Sequence, residues 1–243
     1  MAALAALIFD VDGTLAETEE WHREAFNATF REAGLGWHWD QAAYAELLEV
    51  TGGKERIAYH IRREGLAPMT PERIAALHKD KTARYTARVA AGGIALRPGV
   101  RRLMLEARRA RVKLAIATTT SRPNVMALLR AVGDVPEFDV IAAGDEVKHK
   151  KPAPDVFLAA LRDLNLPAEA CIAFEDTLNG VKSATAAGLR VVVTTSLYGG
   201  TGPFPGALGV VSDLGEPRAP ARGLAGATPL GGVVTLNWLR GRG

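Results

Sequence analysis

Residues 4–20 read LAALIFDVDGTLAETEE, and the junction inside this stretch decides the fold. Leu4 to Phe9 form an uninterrupted apolar run ended by Asp10, the pattern of a short strand buried on both faces, as in parallel sheets. Asp12 lies two residues on, so both carboxyls can project beyond the strand's carboxyl end, with Gly13 permitting a turn. Similar runs recur as VKLAIA (112–117), FDVIAA (138–143), ACIAF (170–174) and LRVVVT (189–194). Helical patterns lie between them. In PGVRRLMLEARRAR (98–111), Pro98 suits the first helical turn, and Val100, Leu103, Met104 and Ala107 share a stripe while the arginines face water. PDVFLAALRDL (154–164) and LNGVKSATAA (178–187) read the same way. This alternation predicts an α/β fold with a doubly wound parallel sheet, whose ligands sit at the carboxyl ends of the strands.

Residues 16–92 interrupt the alternation with helix-like segments at 17–33, 40–50, 53–65 and 70–91, the last opening on Thr70 as N-cap and Pro71. An insert of helices directly after the first strand, with the sheet resuming near 97, predicts a helical cap domain (16–92) over a core formed by 1–15 and 93–216. Such a cap can act as a lid that excludes water. WHWD (37–40) reads as part of the cap's interior. The tail, 217–243, holds three prolines, six glycines, four arginines and no acid. Within it VVTLNWL suits an edge strand or a short docking segment, and its flanks are expected to be mobile.

Of 243 residues, 48% are hydrophobic and 23% charged, which suits a soluble globular protein and argues against disorder or coiled coil. The single cysteine, Cys171, reads as a small buried hydrophobe in a reducing compartment. No apolar run approaches 18 residues, so no membrane partner is expected. The N-terminus lacks a basic signal-peptide region. A net charge of +3 invites nucleic acid, but no helix-turn-helix, zinc-finger or RNA-recognition signature is present. Arg218, Arg222, Arg240 and Arg242 account for the excess, because residues 1–216 carry 26 basic and 27 acidic groups. No nucleic-acid partner is therefore expected.

The chemistry gathers at strand ends. Asp10 and Asp12 are close enough to need a counter-charge, which a hard divalent cation such as Mg²⁺ supplies, although an acidic turn with capping roles has the same pattern. ATTTS (117–121) sets Thr118, Thr119 and Thr120 after a strand, where hydroxyls and N–H groups can hold phosphate oxygens. VKHKKPAPD (147–155) brings Lys151 before Pro152, a compact ammonium suited to a transferring phosphoryl group. FEDTLNG (174–180) supplies Glu175 and Asp176. Each segment alone also suits a helix cap, a solvated lysine cluster or an acidic first turn; together they make one constellation. In the insert, TGGKER (51–56) offers Thr51, the N–H groups of Gly52 and Gly53, and the charges of Lys54 and Arg56 at a helix start, a pattern that suits an anion and equally an exposed loop with a solvated first turn. His78 and Lys81, three apart on one helical face, and Glu17 and His22 near the hinge are further candidate ligand contacts, although the two histidines equally suit ordinary packing.

These motifs, in this order, resemble those of the haloacid dehalogenase-like hydrolase superfamily over most of residues 7–195. DVDGTLAETEEWH, TGGKERI, HKDKT, AIATTTS and KKPAPD are most similar to the subfamily that holds β-phosphoglucomutase and the CbbY-type sugar-bisphosphate phosphatases. The resemblance implies a Rossmann-like core with an inserted helical cap, and a family role of removing phosphate from xylulose 1,5-bisphosphate, an inhibitor of Rubisco. It implies that Asp10 is the nucleophile, Asp12 the acid/base, and Thr118 and Lys151 the holders of the phosphoryl group. Mg²⁺ would lie on Asp10, the Asp12 carbonyl and Asp176, with Glu175 in support. A monomer in the cytoplasm, or in a stroma-like compartment of a carbon-fixing cell, is expected, with a sugar bisphosphate as partner. A phosphomutase, which returns the phosphoryl to a sugar instead of water, is the alternative within the same fold.

Overall fold

The computed structural model describes residues 3–200 and 202–242. It runs β1 (Ala6–Phe9), α1 (Glu19–Glu32), α2 (Gln41–Leu47), α3 (Gly53–Arg63), α4 (Pro71–Ala90), α5 (Val100–Arg109), β2 (Lys113–Ala117), α6 (Arg122–Val132), β3 (Val140–Ala142), α7 (Asp155–Leu164), β4 (Cys171–Glu175), α8 (Leu178–Ala186), β5 (Arg190–Thr194), β6 (Ala207–Val211), β7 (Gly223–Gly226) and α9 (Leu236–Arg240). Among the described residues seven strands form one sheet in the order β3-β2-β1-β4-β5-β6-β7, parallel except for the antiparallel pair β6 and β7. Among those residues no helix is long and apolar enough to cross a membrane.

The five apolar runs are β1 to β5, and they are continuous because both faces of the sheet are covered. Alternate residues serve opposite layers. Leu7, Phe9, Ile116 and Phe174 meet the Val100, Leu103, Met104 and Ala107 stripe of α5. Ile8, Ala115, Ala173 and Val191 meet Phe157 of α7 and Val181 of α8. Cys171 is buried in that second layer, and burial raises its thiol to about 11, so it is an inert core residue. The chain leaves β1 for β2 and β3 on one side and returns to β4 on the other, which opens a crevice at the carboxyl end of β1. The register sets Phe9 between Ile116 and Phe174, so Asp10 comes level with Ala117 and Glu175.

Helices α1 to α4 enclose a separate apolar cluster of Phe26, Phe30, Trp39, Tyr44, Ile57 and Leu77. Trp39 is therefore an interior residue, locked by two hydrogen bonds between its backbone and the Asn27 amide at 2.7 and 2.8 Å. Thr70 caps α4 through its hydroxyl, which accepts from the Arg73 N–H.

Three expectations are corrected. Pro98 does not open α5; Gly99 stands at its N-cap. Not all arginines of α5 face water, for Arg102 donates to the carbonyls of Leu214, Gly215 and Val234 at 2.9–3.0 Å. The flank preceding VVTLNWL is ordered, with Gly223–Gly226 forming the edge strand β7, while VVTLNWL itself is the docking segment, its helix α9 placing Leu236 and Leu239 in the core. Glu106 of α5 receives the Leu236 N–H at 2.9 Å, so the tail is held by polar contacts as well as apolar ones.

Candidate active site

Lys151, in the turn before α7, donates to Asp10 Oδ1 at 2.6 Å, Glu175 Oε1 at 2.5 Å and the Ala117 carbonyl at 3.0 Å. All three protons of one buried ammonium are thereby used. Asp176 accepts from the Ser196 hydroxyl at 2.6 Å through Oδ2, while its Oδ1 is buried without a partner. Asp10, Glu175 and Asp176, all buried, each bring one carboxylate oxygen within 4.8 Å of the others. Three carboxylates against one ammonium leave negative charge in excess. Burial, with the mutual repulsion of these carboxylates, raises Asp10 and Asp176 well above the usual carboxylate range, although Lys151 pulls Asp10 back. Burial would depress Lys151, but Asp10 and Glu175 overcome it and keep the ammonium protonated. An all-oxygen donor set, uncompensated charge and an orphaned Oδ1 fit a hard divalent cation.

Gly13 closes this cluster from below. Its φ is +79°, and a Cβ there would lie 2.1 Å from Asp176 Oδ2. Gly13→Ala is expected to lose about 1–2 kcal/mol from the left-handed backbone alone. It must also push Asp176 aside, so activity should fall at least about 100-fold, by the cost of a 1 Å misplacement. Urea unfolding and steady-state phosphate release measure the two effects; an active Gly13→Ala protein would contradict this packing.

Asp12 faces the insert. Its Oδ1 accepts from the Thr18 hydroxyl at 2.5 Å and lies 3.1 Å from His22 Nε2, while His22 Nδ1 lies 2.5 Å from Lys81 Nζ. These partners assign an Nε2–H tautomer to His22, donating to Asp12 and accepting from Lys81. Against the burial that would raise it, His22, Thr18 and Lys81 hold the Asp12 carboxyl down at about 2. Burial and Lys81 lower His22, and burial lowers Lys81 to about 7.

Two adjoining cavities share Asp12, Glu19, Arg56 and Thr119 as walls. The smaller, about 70 Å³, contains the Asp10, Lys151, Glu175 and Asp176 cluster, with Thr51 on its rim. The larger, about 220 Å³, is lined by His22, Gly52, Gly53, Lys54, His78, Lys81 and Thr120. Gly53 lets the His78 ring lie against the backbone, where a Cβ would come within 2.5 Å of it. Burial, then Lys81 and Lys54, lowers His78 to about 3, so the ring is neutral. Arg56 is buried and donates to the Leu47 carbonyl and the Tyr44 hydroxyl, each at 3.1 Å. Thr118 is buried beneath this wall and lines neither cavity; its hydroxyl accepts from the Thr120 N–H at 3.2 Å.

Glu17 lines neither of these two cavities. It pairs with Arg97 at 3.1 Å in a groove on the hinge side of the insert. Besides Asp12, the acid that lines both cavities is Glu19, whose Oε2 accepts from the Tyr44 hydroxyl at 2.7 Å. Its spacing of three from His22 was a usable signal, since α1 begins at Glu19 and the two share a face. Ser121 and Asn124 of the larger cavity, and Tyr198 of the smaller, carried no such signal.

The model of the haloacid dehalogenase-like hydrolases matches residues 4–188, and the chain belongs to that family. It is an enzyme, a phosphatase. Within the family it is similar to the protein CbbY. It is 51% identical over 216 residues to that of Cereibacter sphaeroides, covering 88% of this chain and 94% of the relative. To that of Rhodobacter capsulatus it is 56% identical over 200 residues, covering 80% and 87%. A crystal structure of a CbbY mutant from Rhodobacter sphaeroides in complex with xylulose 1,5-bisphosphate matches with a TM-score of 0.81 at 50% identity, over 86% of this chain and 94% of that one.

Proposed function

We propose that this chain is a Mg²⁺-dependent phosphatase that hydrolyses a sugar bisphosphate, xylulose 1,5-bisphosphate, through a phosphoryl group carried on Asp10. One observation carries the reading: the nucleophile's cavity opens onto a second cavity ringed by Lys54, Arg56 and Lys81, with Asp12 and Thr119 in both walls. A ligand with a phosphate at each end satisfies both. Residues 16–92 serve as the cap and residues 1–15 with 93–216 as the core.

Asp10, the Asp12 carbonyl and Asp176 would hold the metal, with Glu175 fixing Lys151 beside it. Bound there, Mg²⁺ supplies positive charge that offsets the repulsion between anionic Asp10 and the phosphate. An Asp10 carboxylate oxygen attacks phosphorus, and the bond from phosphorus to the sugar oxygen breaks. Asp12 gives its proton to that oxygen; water then attacks the Asp10 phosphoryl, and Asp12 takes the water's proton as phosphate leaves. Asp12 is ionised while His22 and Thr18 hold it, which suits the second half. An incoming phosphate beside it raises its carboxyl and supplies the protonated form for the first half. Lys151 and the N–H groups around Thr119 and Thr120 steady the transferring oxygens.

Phosphate release is measured over a panel of sugar mono- and bisphosphates with Mg²⁺. The highest kcat/KM is expected with xylulose 1,5-bisphosphate; inactivity on it beside rapid hydrolysis of another sugar phosphate would sink the assignment. Isomerisation of a monophosphate when its bisphosphate is present would mark a mutase instead.

Lys81 provides a second check. Its depressed value means that the unfolded chain holds the proton between pH 7 and pH 10.5 while the folded chain does not, so stability rises with pH across that window. Lys81→Met should flatten this slope and stabilise the free protein at pH 7 by about 1–3 kcal/mol. The same change removes an amine that a bound phosphate would keep protonated in the larger cavity, and kcat/KM should fall about 10- to 100-fold for the bisphosphate, the scale of a lost charged hydrogen bond. Denaturant titrations at several pH values and steady-state kinetics test both arms.

A further inference from the structure

We propose that Arg97 is a positioning residue for the reaction, tying the loop that carries Asp10 and Asp12 to the loop that holds Asp176, with Glu17 keeping its guanidinium in place. Arg97 stands where the chain crosses from the insert back to the core. Its own N–H donates to the Leu15 carbonyl at 2.9 Å, in the outward crossing. The guanidinium reaches further. One terminal nitrogen donates to the Gly13 carbonyl and to the Thr194 hydroxyl at 3.1 Å. The other donates to the carbonyls of Thr195 at 2.5 Å and Ser212 at 2.8 Å. Nε faces Glu17 at 3.1 Å, and the side chain is only 9% exposed. A planar guanidinium is the one side chain whose fixed fork can serve these acceptors together.

What it ties matters for chemistry. Gly13 directly follows Asp12 and packs against the Asp176 carboxylate. Thr195 directly precedes Ser196, whose hydroxyl holds Asp176 Oδ2. Arg97 thus fixes, mainly through main-chain carbonyls, the separation between the Asp10 and Asp12 loop and the support of Asp176. Among the described residues, none of its hydrogen-bond or ion-pair partners lines the Lys54, Arg56 and Lys81 cavity. Disturbing it should therefore reduce the chemical step and leave substrate capture intact.

The inference rests on the phosphatase reading but not on one sugar, so it is read on any phosphate ester that the parent hydrolyses. Arg97→Lys keeps the charge and loses the fork. Expected is a fall in kcat of about 10- to 100-fold per folded molecule with KM within about twofold, as for a sub-ångström misplacement of reacting groups. Amide hydrogen exchange should quicken in residues 10–18 and 194–198 and stay unchanged in α7. In Arg97→Ala, added guanidinium should restore part of kcat, which a general loss of stability would not allow. Glu17→Gln, at an accessible side chain, should lower kcat about two- to fivefold with KM unchanged, the scale of one surface ion pair. An Arg97→Lys protein with kcat within twofold of the parent, or one whose loss lies in KM, would overturn the proposal. If Arg97→Lys does not fold, Glu17→Gln decides: parental kcat together with parental exchange in 10–18 refutes it.

Discussion

Asp10→Asn should stop turnover, lowering kcat by at least about 10⁴-fold, because an amide oxygen is no match for a carboxylate as a nucleophile toward phosphorus. The fold should survive. The introduced amide is close in volume to the carboxyl it replaces, and Lys151 keeps Glu175 and the Ala117 carbonyl as acceptors. Burial already disfavours the charge on Asp10, so its loss should leave stability in the absence of metal equal or higher. Single-turnover phosphate release and urea unfolding on the same preparation check both halves; an Asp10→Asn protein with parental kcat would remove Asp10 from the reaction.

Lys151→Met has the opposite signature, since it damages the fold as well as the chemistry. It leaves Asp10, Glu175 and Asp176 buried with no cation, and breaking such a pair costs about 3–5 kcal/mol. The pH dependence follows from the sign of the shifts. Asp10 and Asp176 are held above their unfolded values, so the folded chain binds more protons and stability falls as pH rises from about 4 toward neutrality. Lys151→Met should thus lie nearest the parent in stability at about pH 5 and furthest at about pH 7.5. Activity should be lost at both. Denaturant unfolding at the two pH values is the measurement, and a Lys151→Met protein as stable as the parent at the higher pH would show that the cluster is not charged as described.

The parts of the site that could be read from sequence are those that follow buried strands. Asp10, Thr119, Glu175 and Asp176 stand at or just past the ends of β1, β2 and β4, where a short apolar run announces both the strand and the place where it stops. Lys151 was legible for its neighbours, coming before Pro152 and between two such runs. The helix expected from Glu17 starts two residues later, which sets Glu19, and not Glu17, in the walls of the two cavities. Arg97 was not legible at all. Four of its five hydrogen-bond acceptors are main-chain carbonyls, at sequence separations from 84 to 115, and a carbonyl has no letter in a sequence. Docking by VVTLNWL was legible, but the order of its flanks was not, for a related reason: the tail's anchors include spaced apolar residues, Val234, Leu236 and Leu239, and the Val234 carbonyl grasped by Arg102.

That tail also bears on association between copies of the chain. The outer strands of the sheet, β3 and β7, have three and four residues, and β7 is GLAG with a register irregularity against β6. Short, glycine-rich and irregular edges are poor templates for a neighbouring chain to add a strand. Behind β7 lies β6, ALGVV, a longer and more apolar strand that would be the better template. The residues from 217 onward therefore act as a selvedge: they finish a sheet that would otherwise end on its most adhesive strand.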